Sequence, residues 1–178
     1  PSNPEAPGVM GAMYGAMTAS ITLDDAEALN RIHSVISIAP TNENFVKIIA
    51  GNEDTTVVIH GSTPDYIAVN GFSMGAGRFI SEVNLARRDM VVVVGSQVAE
   101  DLFGSDDAIG QQVRIRDKRF TVIGVMEPRG LSSFGFSWDK LVVTPITTFQ
   151  ARLFSQKTSS GEDAVQQIAV QLSSAEVV

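Results

Sequence analysis

The hydrophobic positions of this chain fall into short, separate runs whose period changes along it. Thr22 precedes Leu23, Ala26, Leu29 and Ile32 at helical spacing, with Asp24, Asp25 and Glu27 at the end where a helix dipole favours negative charge. A capped helix opening at Thr22 is predicted. Residues 35–39 read as a strand that stops before Pro40. Residues 45–50 and 55–60 flank the turn sequence Gly51-Asn52-Glu53-Asp54 and predict a hairpin. Thr63-Pro64 and Thr144-Pro145 each place a cap residue before proline, predicting helix starts. The first helix is expected over 65–69, and the second carries Phe149 and Leu153 and ends near Phe154.

Residues 90–126 have the densest pattern. Met90 to Val94 is an unbroken apolar run, expected as a strand buried on both faces. After Gly95, Ser96 is the expected cap of a helix whose Val98, Ala99 and Leu102 share a face, and Gly104 its left-handed end. Val113 and Ile115 alternate with polar neighbours, Asp117-Lys118 is the expected turn, and Phe120, Val122 and the run to Met126 return as a second strand. Strand 140–143 and the alternating strand 166–172, with Ile168, Val170 and Leu172 on one face, complete the list. Residues 155–163 (SQKTSSGED) read as a polar linker. Residues 1–20 read as a flexible lead-in, or alternatively as an apolar surface of Val9, Met10, Met13, Tyr14 and Met17 that packs on a partner.

Composition narrows the chemistry. A hydrophobic fraction of 44% belongs to a folded domain. With net charge -7 and scattered Lys and Arg, the sequence lacks the clustered cations that nucleic acid demands. Without cysteine there is no disulfide, thiol nucleophile or thiolate metal site. No apolar run reaches the roughly 20 residues of a membrane span, so a soluble segment is expected, with any membrane attachment outside it. His33 and His60 lack carboxylates at metal-binding intervals and are read as surface or satisfied histidines. Gly75-Ala76-Gly77 lacks the Lys and Ser/Thr of a phosphate loop and reads as a tight turn. Neighbouring Asp24 and Asp25 point to different sides of their helix, which suits a solvated first turn better than paired acid–base catalysts. No catalytic, metal or cofactor site is expected.

Residues 127–139 (EPRGLSSFGFSWD) are the longest irregular piece with large apolar side chains. Two readings stay open: Phe134, Phe136 and Trp138 form a half-buried strand, or an exposed aromatic tip that binds a partner.

In order along the chain, Thr22-Leu23-Asp24-Asp25-Ala26, Ser34-Val35 with Ala39-Pro40, Gly61-Ser62-Thr63-Pro64-Asp65-Tyr66, Gly77-Arg78-Phe79-Ile80, Leu102-Phe103-Gly104, Ile109-Gly110-Gln111 and Phe120-Thr121-Val122-Ile123-Gly124-Val125 resemble landmarks of one family. Pro145 with Thr147 and Leu153 adds the last. The chain thus resembles the extracytoplasmic core domain of MacB-type, FtsX-like ABC-transporter permeases over about residues 21–172. Ser62 departs from that pattern, standing where an apolar residue is usual.

The resemblance implies an α+β fold of two small lobes. A membrane-proximal lobe is expected from 21–44 and 164–178, an inserted lobe from 45–154, and 155–163 as linker. The return segment of the first lobe is expected to be missing at Val178. Also implied are a location on the extracytoplasmic face of a bacterial membrane and a permease dimer. An ABC ATPase and transmembrane helices would lie outside this chain, with a periplasmic adaptor or exported cargo as partner. The role expected is contact with that partner and coupling of motion to ATP hydrolysis, without catalysis. The alternatives are a stand-alone binding module, or a permease domain controlling a cell-wall hydrolase or lipoprotein release. Phe134, Phe136 and Trp138 are the candidate contacts, and Asn42, Asn44, Ser159, Ser160 and Gly161 the candidate hinge residues.

Overall fold

A computed structural model describes residues 21–32 and 34–172. The lead-in, His33 and the last six residues, 173–178, lie outside them. Within the described residues, β1 (Ile21–Thr22) leads into α1 (Leu23–Leu29), where Thr22 Oγ1 accepts from the Asp25 amide and Asp25 reaches back to the Thr22 amide. The expected cap is there, as a full capping box. β2 (Val35–Ala50) and β3 (Glu53–Ser62) form a long hairpin. α2 (Tyr66–Asn70), β4 (Met74–Gly77), α3 (Glu82–Arg87), β5 (Val91–Val94) and α4 (Ser96–Phe103) follow. A second hairpin, β6 (Gln112–Ile115) with β7 (Lys118–Met126), precedes β8 (Leu141–Pro145). One turn of helix α5 (Ile146–Thr148) runs into a π-helical turn at Phe149–Leu153, and β9 (Ala164–Val165) and β10 (Gln167–Leu172) close the chain.

The pairings close on themselves. β2 pairs with β3, β3 with β8, β8 with β5, β5 with β7, β7 with β6, and β6 again with β2. This circuit makes a small barrel, in which alternate residues point inward. Val46, Ile48, Val57, Ile59, Val92, Val113, Ile115, Phe120 and Val122 fill its interior, joined by Val98 and Leu102 of α4 and by Phe149. The opposite parity (Val58, Val93, Leu141, Val143) forms a second core under Tyr66 and Phe72. Outside the circuit, β10 extends the sheet along the first half of β2, β4 lies along β7, and β1 pairs with β9. The mixed α/β content is the α+β class that the sequence predicts.

Several local expectations are corrected. The strand at 35–39 does not stop at Pro40 but runs on to Ala50. Pro40 lies opposite Ile168, and β3 begins to pair only at Asn42, so no ladder bond is lost for want of the Pro40 amide. The boundary expected between 44 and 45 therefore falls inside one continuous strand. Neither Thr-Pro pair caps a helix. Thr63 leaves its buried hydroxyl unpaired and α2 starts later, at Tyr66. Thr144 and Pro145 continue β8, with the Thr144 hydroxyl donating to the Val91 carbonyl (3.0 Å).

At α4 the cap position belongs to Gly95, and Ser96 is already helical. A Cβ at Gly95 would lie 2.3 Å from the Asp139 carbonyl, so close approach selects glycine there. Gly104 has positive φ but not left-handed helical ψ (59°, -123°). The glycines at 75 and 77 lie in β4 rather than a tight turn. The second hairpin turns at Arg116-Asp117, one residue earlier than expected, with φ of 50° and 65° as a two-residue turn of type I′ requires. Helix α3, absent from the sequence reading, is held by a capping box between Ser81 and Asn84.

Candidate functional site

Glu43 and His60 are direct cross-strand partners in the β2–β3 ladder. His60 is buried, and both ring nitrogens are engaged: Nε2 lies 3.0 Å from a Glu43 carboxylate oxygen and Nδ1 2.8 Å from the Tyr66 hydroxyl. In the neutral ring, Nε2–H donates to Glu43 and Nδ1 accepts from Tyr66. The hydrogen bond from His60 holds the Glu43 carboxyl below its usual range although partial burial opposes this. Burial pushes the Tyr66 phenol well above its ordinary value, and the Glu43 charge adds to that. The phenol therefore remains a donor. His60 is thus a satisfied histidine, one of the two states expected of it.

This triad forms the floor of an open cleft of about 650 Å³. Tyr66 stacks on Phe72 and Phe79, and Phe72 meets Trp138 edge-on at 5.8 Å between ring centroids. The far wall is the 127–139 segment, which folds into a fastened tip. Asp139 accepts from the Arg129 and Gly130 amides, while the Ser132 amide donates to the Phe136 carbonyl and the Phe136 amide to the Ser132 hydroxyl. The tip carries Phe134, 96% exposed, and Phe136, 37% exposed, packed edge-on against Trp138. Trp138 is half-buried, and Arg129 lies over its ring and over that of Phe72. The two open readings thus divide among the residues. Phe134 is an exposed tip, Trp138 a half-buried buttress, and Phe136 joins them.

Asn44 and Phe45 line the near wall, and Phe45 is 74% exposed. Glu43 is the sole formal charge among the lining residues, so the cleft offers aromatic faces, one carboxylate and several amides. That set suits noncovalent contact: the hydroxyl that does lie beside a base, that of Tyr66, is buried and held as a donor to His60. Among the described residues, no three of His, Asp or Glu gather as a metal site.

The remaining candidates lie apart from one another. Asn42 is fully buried beside the cleft, its Nδ2 donating to the Ala164 carbonyl (3.0 Å) and its Oδ1 accepting from the Gln166 amide (2.7 Å). Ser159, Ser160 and Gly161 are not brought to the cleft. They form a turn in which Gly161 takes φ +85° and donates to the Thr158 carbonyl, closed by Lys157 and Asp163. Sequence reasoning missed Glu43 and Phe45. Their signal was the hairpin register, hidden because the turn uses only Gly51-Asn52 and pairs Ala50 with Glu53.

The family described as MacB-like periplasmic core domain matches residues 3–178. This chain belongs to that family. Two relatives of this MacB-like domain are macrolide export ATP-binding/permease proteins MacB. That of Wolinella succinogenes is 30% identical over 151 residues, covering 85% of this chain and 24% of the relative. That of Hyphomonas neptunium is 32% identical over 154 residues, covering 86% and 24%. The chain thus spans about a quarter of the length of the curated relatives it matches. The fold is that of the periplasmic region of MacB from Actinobacillus actinomycetemcomitans (TM-score 0.74, 20% identity, covering 90% of this chain and 68% of that one). It is also that of the extracellular domain of the noncanonic ABC-type transporter YknZ from Gram-positive bacteria (TM-score 0.71, 21% identity, 90% and 78%). The MacB-like domain is an extracytoplasmic part of an ABC-transporter permease. Among its described residues no helix is long and apolar enough to cross a membrane.

Proposed function

We propose that this domain contacts a partner protein or exported cargo through the aromatic cleft, and passes motion between that contact and a separate ABC ATPase through β2. The observation that carries the reading is Phe134, an almost fully exposed aromatic side chain held on a hydrogen-bonded tip over a cleft whose single charge is Glu43. Contact needs such a side chain to be displayed, and display without fastening would cost more ordering on binding. The relatives' names make macrolides the first cargo to try. Two places join the β1–β9–β10 side to the barrel, the β2 crossing at Asn42–Asn44 and the 155–163 turn, and we assign the relay of motion to them. Rigid elements joined at a few residues are what such a relay uses.

Trp138 is the only tryptophan of the chain and lies in the cleft, so its emission reports occupancy. Phe134→Ser should leave thermal stability unchanged, whereas Trp138→Ser should cost about 2 kcal/mol or more because it strips a packed ring from Phe72 and Phe136. In the complete permease, Phe134→Ser should lower macrolide export several-fold at equal abundance. Export unaltered by Phe134→Ser with Phe136→Ser would rule out the cleft as the contact. A disulfide across the β2 crossing that leaves export intact would rule out the relay.

A further inference from the structure

Among the described residues, the edge of β2 is covered at both ends and bare between them. β10 pairs with it from Val35 to Thr41, and β6 pairs with it only at Ile48 and Ile49. Over residues 42–47 its ladder partner is β3, on the other side. The direction of the bare backbone groups follows from Pro40. Opposed residues in an antiparallel pair alternate between bonded and non-bonded, and Pro40, having no N–H, takes the non-bonded place opposite Ile168. Thr41 is then a bonded position. By the period of two, the amides of Glu43, Phe45 and Lys47 also point to the bare side.

Side chains guard the first two. The Glu43 amide donates to Gln166 Oε1 (2.9 Å), and the Phe45 amide to Asn44 Oδ1 (2.9 Å), a bond from its own neighbour that an incoming carbonyl displaces at little cost. Among the described residues no side chain caps the Lys47 amide. The window from Asn44 to Lys47 is long enough for an added strand of about four residues, roughly 13 Å.

A groove of about 410 Å³ runs along this window, between Phe45 and Lys47 of β2 and the Arg114–Asp117 end of the β6–β7 hairpin. Phe45, Ile49 and Phe154 supply apolar surface; Lys47, Arg114 and Arg116 supply three cations against the single carboxylate of Asp117. In a chain of net charge -7 this is a local reversal of sign. Lys47 and Arg114 are exposed and form no ion pair among the described residues. Arg116 is held in place by the Leu153 carbonyl (2.9 Å) and the Phe154 ring.

We propose that this notch is a strand-addition site for an extended acidic segment of a partner protein. The segment completes the edge of β2 between β10 and β6 by bonding to the backbone of Phe45 and Lys47. Its acidic side chains meet Lys47 and Arg114 on the outer face, and its apolar ones, alternating to the opposite face, meet Val46 and Phe154 at the rim of the barrel core. Backbone pairing gives affinity in such a mode, and side-chain chemistry gives selection. The site is separate from the aromatic cleft and does not depend on the function proposed for it, although Phe45 borders both.

The probe is a fluorescent octapeptide alternating glutamate with valine or leucine, titrated by anisotropy against this chain. Binding is expected below about 1 mM, with exchange of the Phe45 and Lys47 amides slowed in the bound state. Lys47→Glu with Arg114→Glu should weaken it at least about tenfold, and methylation of alternate peptide nitrogens should abolish it. Both substituted side chains are exposed, and melting curves of the variant establish that it folds. Absence of binding at about 1 mM, or equal binding by the lysine-for-glutamate or N-methylated peptides, overturns the proposal. So does unchanged exchange at Phe45 and Lys47. Association of the chain with itself that the double variant abolishes assigns the edge to a second copy and overturns it too.

Discussion

Glu43 shows how one side chain ties the strand ladder to the cleft. Its folded-state value lies below the ordinary 4.5, with the His60 hydrogen bond as the leading cause. A depressed carboxylate contributes stability that is fully present above the unfolded value and disappears as pH falls through the folded one. Replacing it by Gln removes that contribution. We expect Glu43→Gln to be less stable than the parent at neutral pH by under about 1 kcal/mol, because the carboxylate is half-exposed and solvent screens the pair. The gap should shrink as pH falls below the ordinary value and vanish below the depressed one. Urea denaturation of both proteins from neutral to acidic pH measures it, and a gap that persists or widens in acid would refute the assignment. None of this was legible residue by residue. The sequence places His60 at a strand end, but a four-residue turn over 51–54 pairs it with Phe45 instead of Glu43.

At the scale of elements, legibility followed local chemistry. The α1 cap, the β2–β3 hairpin, β5, the apolar face of α4 and the alternation of β6 and β7 rest on contacts between near neighbours, and the pattern of residues reveals them. Where a distant segment decided the outcome, the pattern misled. Pro40 reads as a strand stop only if a partner needs its amide. Thr144 reads as a cap only if no carbonyl such as that of Val91 competes for its hydroxyl. The glycine of the Gly61-Ser62-Thr63-Pro64 landmark is another long-range effect. A Cβ there would lie 2.4 Å from the Cβ of Phe149, which belongs to the π-helical turn and fills the barrel core. Gly61→Ala therefore forces Phe149 or β3 to move. A loss of about 1–3 kcal/mol is expected from overpacking. Thermal melting tests this, with Gly51→Ala, which meets nothing within 4 Å but has φ +59°, as the comparison for strain without a clash. Equal losses would mean that the close approach of Phe149 costs nothing.

The whole molecule is a barrel whose closure rests on a narrow seam. Four of its junctions are ladders of four pairs or more; β8 meets β5 only at Val93–Val143 and Val94–Val142, and β6 meets β2 only at Ile48–Ile115 and Ile49–Arg114, next to the uncovered edge. The two inward residues of this seam, Ile48 and Ile115, are fully buried. Closure is thus maintained chiefly by side chains meeting inside the barrel. Of the two short junctions, β2–β6 borders the uncovered edge and should open before the barrel unfolds, since local opening follows the fewest cooperative contacts. Hydrogen exchange at the Ile49 and Arg114 amides should then be faster than along the β2–β3 ladder and should respond to mild denaturant only weakly. Ile115→Ala empties part of the interior and should cost about 2–5 kcal/mol in global stability. Because it acts on the seam itself, it should speed exchange at Ile49 and Arg114 more than at Val57 or Ile59 of β3. Uniform acceleration across both groups would mean that the barrel opens as a single unit, and that the bare edge of β2 is as rigid as the ladder behind it.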